Sequence, residues 1–232
     1  RRACTAAKNR MSLAAAPVYA RGDVYLHQNF LNASELRFMR AHLWMARAML
    51  LAETWSSFAH NKRMIAINQP NMANSLDPQL VHATRSIFAR TYETVGALRF
   101  HSDNYAMDKM YPTPTHQITW HGVGSDFPPH VDFVPNCVAV LVYLSSSGED
   151  FEGGQLQTRG CPSLQQCPVL RDDYPMNTSA SLACRVMREI APKAGDMVAF
   201  PADTAHAVGL VTRGMRVALN TWFNCPWRTQ KP

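Results

Sequence analysis

The chain has 232 residues, of which 47% are hydrophobic and 17% are charged. This apolar content suffices for a folded core and excludes an intrinsically disordered protein, and the length suits one domain with additions. The net charge is +6, but the basic residues are scattered and do not alternate with aromatic residues, so we expect no nucleic-acid partner. The most apolar stretch, Leu43 to Ala52, is interrupted by Arg47 and is too short for a membrane span.

Residues 1–22 are predicted to be a basic N-terminal tail, because they contain five basic residues and no acidic one. Such a segment is typical of a stem behind a removed signal, of the remainder of an organelle transit segment, or of a loose tail. The sequence leaves these three origins open.

Residues 23–100 are predicted to be a helical N-terminal part packed on the core. Asp23 to Phe30 alternates apolar and polar residues like a strand. Asn32 and Glu35 have the spacing of a capping box, and apolar residues at helical spacing then predict a helix from about Ala33 to Glu53. A second helix is predicted from the cap and proline at residues 77–78 to about residue 97.

Residues 101–232 are predicted to be the β domain. Eight short strands between Gly/Pro turns in about 110 residues are typical of a double-sheet jelly roll. We therefore predict a mainly β fold with some α structure, in which a double-stranded β-helix (jelly roll) core is flanked by the N-terminal helices. The predicted strands are Ile118 to His121, Val131 to Phe133, Val138 to Leu144, Gln155 to Thr158, Val186 to Ile190, Met197 to Phe200, Ala207 to Val211 and Arg216 to Phe223, after a short one at Met64 to Ile67.

Six cysteines form an even set without a C-x-x-C pair, which argues against a structural zinc site. Cys161, Cys167 and Cys184 cluster in a predicted insertion at about residues 159–184, as in a disulfide-stapled segment of an oxidising compartment. The pairing stays open. A glycosylation sequon begins at Asn177 in the same insertion, whereas the sequon residue Asn32 is at least as well placed to be a helix cap.

Two histidines and a carboxylate are the candidate metal ligands. His130 and Asp132 are two residues apart in a predicted strand and would project from one face, and His206 follows a predicted turn. This ligand set is the facial triad that holds non-haem Fe(II) with open coordination positions. Arg216 has the planar fork that suits the distal carboxylate of a dicarboxylate cosubstrate, and we predict that a hairpin at residues 212–214 brings it within about 7 Å of His206. The alternatives are a surface histidine beside an aspartate and a solubilising arginine at a strand edge.

Five segments carry a wider pattern: Phe127 to Asp132, Leu141 to Ser145, Asp150 to Leu156, Gly195 to Phe200 and His206 to Arg216. In order and spacing they resemble the prolyl 4-hydroxylase type of 2-oxoglutarate/Fe(II)-dependent dioxygenase. Residues 23–36 resemble the first strand and helix of that superfamily, so the resemblance covers roughly residues 23–227. The Asp-Phe-Glu-Gly-Gly stretch is similar to procollagen prolyl and lysyl hydroxylases in particular.

The resemblance implies that His130, Asp132 and His206 ligate Fe(II) and that Arg216 binds the C5 carboxylate of 2-oxoglutarate. The family's tyrosine nine residues before the first histidine is His121 here, so Tyr143 is a weaker candidate for a second cosubstrate contact. Many prolyl 4-hydroxylases have lysine at the clamp, so Arg216 favours relatives of the lysyl-hydroxylase, prolyl-3-hydroxylase or bacterial type. The resemblance also implies ascorbate as the reductant.

The implied activity is hydroxylation of a peptidyl proline or lysine, with decarboxylation of 2-oxoglutarate to succinate. The alternatives are a dioxygenase of the same fold acting on a small metabolite, and a structural subunit of a larger assembly that keeps the fold. An open groove rimmed by Tyr105, Tyr111 and a loop at residues 104–115 would favour a peptide or protein substrate. We expect the endoplasmic reticulum lumen or the secretory pathway, or an organelle after removal of a transit segment; oligomeric or assembly partners stay open.

Overall fold

The computed structural model describes residues 24–43, 53–54, 62–67, 76–98, 100, 106–132, 136–160, 185–202 and 204–226. They form two helices, α1 (Ala33–Leu43) and α2 (Pro78–Gly96), a 3-10 turn at Met107–Lys109, and thirteen strands. The strands are β1 (Tyr25–His27), β2 (Glu53–Thr54), β3 (Lys62–Ala66), β4 (Tyr111–His121), β5 (Phe127–His130), β6 (Asn136–Tyr143), β7 (Phe151–Gly153), β8 (Leu156–Gly160), β9 (Arg185–Ile190), β10 (Met197–Pro201), β11 (His206–Val208), β12 (Val211–Gly214) and β13 (Arg216–Asn224).

The described strands form three antiparallel sheets. The major sheet has the order β1-β10-β6-β13-β4-β3-β2, and the minor sheet has the order β5-β11-β8-β9. A two-stranded ribbon pairs β12 with β7. Two antiparallel sheets facing one another are the jelly roll that the strand pattern predicts, so the predicted fold class is confirmed.

The two helices begin at the caps that the sequence predicts. Asn32 Oδ1 accepts hydrogen bonds from the backbone N–H groups of Ser34 and Glu35, and Glu35 Oε2 accepts one from the N–H of Asn32. Asp77 caps α2 through Gln79 N–H at 2.8 Å. No helix in the described ranges is long and apolar enough to cross a membrane.

The first helix is shorter than predicted. α1 ends at Leu43, and Glu53–Thr54 is a strand paired with β3, so the predicted extension to Glu53 is wrong. Residues 44–52 lie outside the described residues. The helical spacing of apolar residues extended past Leu43, but pairing at the edge of the major sheet determines the conformation of residues 53–54.

The major sheet is buried on both faces. Alternate residues of β6 divide between two clusters: Val138, Val140 and Val142 pack with the helices, whereas Ala139 and Tyr143 face the minor sheet. Both faces of β6 and β10 are therefore covered, and both strands are continuous apolar runs. The helices form one outer layer, and the other face of the sheet is left to form the interior of the jelly roll.

Two local predictions about the back half are wrong. β5 ends at His130, so residues 131 and 132 of the strand predicted at 131–133 are not in a strand; residue 133 lies outside the described residues. The predicted hairpin between the segments of His206 and Arg216 does not form, because β11 pairs with β5 and β8 whereas β13 pairs with β4 and β6. Each strand has both edges satisfied by other partners, and the segment between them crosses from the minor to the major sheet.

A disulfide joins Cys137 in β6 to Cys225, which directly follows β13. The two cysteines are 88 residues apart in sequence, and both are buried. The sequence left the cysteine pairing open and drew attention to Cys161, Cys167 and Cys184, all of which lie outside the described residues. The bond thus joins β6 to the residue that directly follows its neighbouring strand β13.

Candidate metal centre and cosubstrate pocket

The candidate ligands meet because β5 and β11 are neighbours in the minor sheet. His130 is the last residue of β5, and its register partner is His206, the first residue of β11. β5 is an edge strand, which is where a sheet tolerates Pro128 and Pro129. Asp132 is held after the strand by a hydrogen bond from its N–H to the carbonyl of Ala202.

The three side chains form a compact triad. Ligand atoms of His130, Asp132 and His206 all lie within 4.8 Å of one another. Nε2 of each histidine is 3.9 Å from a carboxylate oxygen of Asp132, and the side chains are only 8–12% exposed. The described residues contain no second group of three such side chains that could hold a metal ion.

Hydrogen bonds orient both imidazoles for metal binding. His130 Nδ1 is 2.9 Å from the carbonyl oxygen of Pro128, and His206 Nδ1 is 2.9 Å from that of Thr204. A carbonyl only accepts, so Nδ1 carries the proton in both rings. Nε2 therefore has a free lone pair that points toward Asp132, as a metal ligand requires.

The electrostatics of the triad fit a bound cation. Oδ2 of Asp132 is buried and has no hydrogen-bond partner among the described residues. Burial raises the pKa of Asp132, while His206 opposes this. Burial, followed by the neighbouring His206, holds the pKa of His130 well below its usual value, so this ring is neutral. A divalent ion would compensate the buried carboxylate and use both imidazole lone pairs, so the residues present fit Fe(II).

Arg216 lies on the opposite wall, in the major sheet. It is 1% exposed, and its Nη2 donates to the hydroxyl oxygen of Tyr143 at 2.9 Å. Its Nε has no hydrogen-bond partner in the described parts of the chain. The guanidinium is thus held by a phenol on one side and retains donor capacity for a ligand. Arg216 faces the triad across the space between the two sheets.

A cavity of about 390 Å³ lies between these walls. Its described lining includes the triad and Arg216, and Asp132 is the single acidic residue in that lining. Tyr143 lies behind Arg216 and is fully buried. Aromatic and aliphatic side chains complete the wall, notably Phe127, Leu141, Leu156, Phe200, Val208 and Trp222.

Tyr111, expected at the rim of an open groove, does not line the cavity. Tyr111 is exposed and begins β4, so the predicted loop at residues 104–115 is wrong over its second half. Tyr105 lies outside the described residues.

Sequence reasoning did not identify Lys62 as a cavity residue. Lys62 begins β3, is 6% exposed, and places Nζ 3.9 Å from the ring centroid of Phe127. Burial, and then the charge of Arg216, lowers its pKa to about 7. The sequence offered only a lysine just before a short predicted strand, with no motif around it. The register between β3 and β4 is what brings it to the site.

The comparisons with known proteins agree with this geometry. Residues 115–224 match the family model of the 2OG-Fe(II) oxygenase superfamily. This span contains the triad and Arg216. No curated protein matches the chain significantly.

Solved structures share the fold at low identity. A Pseudomonas putida prolyl-4-hydroxylase is 19% identical, covering 88% of this chain and 92% of its own, with a TM-score of 0.53. A Trichoplax adhaerens prolyl hydroxylase, in complex with a peptide fragment of the hypoxia inducible factor oxygen degradation domain, is 16% identical over 87% and 83%, with a TM-score of 0.55. HygX from Streptomyces hygroscopicus, with nickel and 2-oxoglutarate bound, is 14% identical over 90% and 85%, with a TM-score of 0.54. These likenesses establish the jelly-roll architecture.

Proposed function

We propose that this chain, whose residues 115–224 match the 2OG-Fe(II) oxygenase superfamily, is a 2-oxoglutarate-dependent dioxygenase that hydroxylates a peptidyl residue, proline in preference to lysine. Its cofactors are Fe(II) and 2-oxoglutarate. Bound together they would let dioxygen act as the oxidant: one oxygen atom would enter succinate as 2-oxoglutarate loses carbon dioxide, and the other would enter a substrate C–H bond.

In this proposal His130, Asp132 and His206 hold the metal, while Arg216, positioned by Tyr143 behind it, holds the distal carboxylate of the cosubstrate. The Pro128 and Thr204 carbonyls fix the imidazole tautomers, so the ligands need little reorganisation on metal binding. Arg216 is positioned by Tyr143 and offers charge-assisted hydrogen bonds to a carboxylate. The aromatic wall excludes water from the reacting centre.

The size and lining of the cavity are the main support for a peptidyl substrate. About 390 Å³ lies near the lower end of the roughly 300–1,000 Å³ typical of ligand pockets, and 2-oxoglutarate occupies part of it. The remaining space suits one side chain of a longer substrate. Phe127 and Trp222 would pack against an apolar ring. The described lining offers a lysine ammonium no free carboxylate, because its single acidic residue, Asp132, would be engaged by the metal, and this favours proline.

The test is turnover of matched peptides by the iron-loaded protein under air with 2-oxoglutarate and ascorbate. The panel contains sequences identical except for proline, lysine or alanine at one position. We expect a mass increase of one oxygen on the proline peptides, with stoichiometric succinate. The His206→Ala variant is the matched inactive control.

The outcomes separate the alternatives. Succinate formation that no peptide in the panel stimulates, with no oxygenated peptide product, would reject the peptidyl substrate and leave a small metabolite as the candidate. Oxygenation of the lysine peptide alone would reject the preference for proline. Absence of 2-oxoglutarate turnover under every condition would support a structural subunit.

We further propose that the protein works in the endoplasmic reticulum lumen or elsewhere in the secretory pathway, with ascorbate as reductant. The support is the buried Cys137–Cys225 disulfide, because such bonds persist mainly in oxidising compartments. Fractionation of cells expressing the tagged protein tests the compartment. Recovery in a reducing cytosol, with both cysteines as free thiols, would reject this location.

A further inference from the structure

Three polar side chains form a row across the cavity wall of the major sheet. Lys62 in β3 is in register with His121 in β4, and His121 is in register with Arg216 in β13. Residues directly opposite one another on neighbouring strands project from the same face. All three are buried, with 6%, 2% and 1% exposure, and all three line the cavity.

The middle member of the row is uncharged. His121 Nδ1 lies 3.1 Å from Ser125 Oγ, which fixes the ring. Burial, then the charges of Arg216 and Lys62, holds its pKa well below the usual histidine value. The row therefore places two basic side chains, Lys62 and Arg216, on either side of a neutral imidazole.

The position of Lys62 relates the row to the metal centre. Its Nζ lies over the Phe127 ring, and that ring contacts His130 edge-on with centroids 4.5 Å apart. In strand order, Tyr143 and Lys62 lie on opposite sides of Arg216. Arg216 and Lys62 are two strands apart on the same face of the sheet, and both line the cavity that an anion bound at Arg216 would enter.

The charges of the cavity require an anionic ligand. The described lining has two basic side chains that can carry a positive charge, Lys62 and Arg216, and a single acidic residue, Asp132. Fe(II) at the triad would add two positive charges. Buried charge is costly unless it is paired, so this lining is suited to a dianion with one carboxylate at each end of the cavity.

We propose that Lys62 is a second cationic contact for the distal carboxylate of 2-oxoglutarate, in addition to Arg216. His121 lies between them and is neutral, so it offers no charge to that carboxylate. This inference rests on the proposed function. The contact makes Lys62 a determinant of cosubstrate affinity, and it provides a second point of recognition through β3, a strand outside the residues 115–224 that match the family model.

Equilibrium binding tests this assignment without turnover. Calorimetry measures the dissociation constant of 2-oxoglutarate for the Mn(II)-loaded protein without oxygen, and that of 2-oxobutyrate, which keeps the metal-binding end and lacks the distal carboxylate. We expect Lys62→Met to weaken 2-oxoglutarate about 10- to 100-fold, the usual effect of losing a hydrogen bond to a charged group, and to leave 2-oxobutyrate and Mn(II) within about 2-fold.

Two variants serve as controls. Lys62→Arg keeps the charge and should retain most of the 2-oxoglutarate affinity. Arg63→Met removes the next cation along β3, an exposed one, and should bind both keto acids like the wild type. Circular dichroism of each variant reports the fold.

The possible failures are distinguishable. Unchanged 2-oxoglutarate affinity in Lys62→Met, or equal weakening of both keto acids, would overturn the assignment of Lys62 and leave the proposed function standing. Weaker peptide binding with unchanged 2-oxoglutarate binding would place Lys62 at the substrate and also overturn it. A wild-type protein that binds Mn(II) and no 2-oxoglutarate would overturn the proposed function together with this inference.

Discussion

The two histidines of the triad share one local device. Each donates its Nδ1–H to the backbone carbonyl two residues earlier, at Pro128 and at Thr204. This hydrogen bond joins groups only two residues apart in the chain. It therefore sets the imidazole tautomer without a partner from a distant segment. This explains why both rings are ready to bind a metal before one is present.

Asp132 combines metal binding with a cost to the metal-free fold, and Asp132→Asn separates the two. Asn is nearly the same size and carries no charge, while Oδ2 of Asp132 is buried, lies 3.9 Å from His206 Nε2 and has no hydrogen-bond partner in the described residues. We expect the variant to lose more than about 100-fold in Mn(II) affinity, beyond the effect of removing an outer-shell partner. The metal-free variant should be more stable than wild type by about 1 kcal/mol in urea unfolding.

Urea unfolding of wild type and Asp132→Asn at saturating Mn(II) provides the control. Wild type then gains stability through binding, and the order of the two proteins should reverse. An Asp132→Asn protein that binds Mn(II) as tightly as wild type would remove Asp132 from the ligand set.

Lys62 should make the stability of the metal-free protein depend on pH. Burial and Arg216 lower its pKa from 10.5 to about 7, while Asp132 opposes the shift. Between these values the unfolded chain holds one more proton than the folded chain, so this lysine makes stability rise with pH. The linkage relation gives about 2 kcal/mol between about pH 6 and about pH 8.5. Lys62→Met should lack this rise in urea unfolding.

The titratable groups around Lys62 are the same in wild type and in Lys62→Met, so they do not account for the difference between the two pH profiles. His121 and His130 face Lys62, and both stay neutral because burial holds the pKa of each well below its usual value. Arg63→Met, on the exposed side of β3, should keep the wild-type rise. Parallel pH profiles for wild type and Lys62→Met would show that Lys62 does not titrate in this window.

At the scale of elements, local signals predicted where segments begin better than where they end. Asn32 and Asp77 carry cap chemistry that acts within three residues, so both helix starts are correct. The end of α1 was missed because edge pairing of residues 53–54 depends on β3, which is distant from the helix signal. Asp132 was assigned to a strand for the same reason: alternation continues past the last paired residue, His130.

The capping box of α1 has a measurable contribution. Asn32→Ala removes the acceptor for Ser34 and Glu35 N–H and should cost about 1 kcal/mol in urea unfolding of protein made in a bacterial host. Asn32→Asp keeps an acceptor and should stay close to wild type. If Asn32→Ala is as stable as wild type in this host, where no glycan is attached, the cap does not stabilise the fold.

At the scale of the whole molecule, the site is a product of two facing sheets. The two triad histidines belong to the minor sheet and Asp132 directly follows its edge strand, whereas Arg216 and Lys62 belong to the major sheet. The sequence predicted that the triad and Arg216 lie near one another, and the structure places them in the lining of one cavity, but the hairpin predicted to join them does not form. Register across separate strands brings Lys62 into the cavity, and no pattern within one segment of the chain encodes it.

The Cys137–Cys225 disulfide should stabilise the whole domain, because it closes a long loop and joins the core strand β6 to the segment after β13. For a separation of 88 residues the chain-entropy relation gives about 4 to 5 kcal/mol. We expect the Cys137→Ala/Cys225→Ala double variant to unfold at lower urea by roughly 2–5 kcal/mol, and wild type with a thiol reductant to approach it. Cys4→Ala, which leaves the pair intact, is the control and should match oxidised wild type. Equal stability of the double variant and oxidised wild type would contradict this role, as would labelling of Cys137 and Cys225 by a thiol reagent in unfolded, unreduced protein.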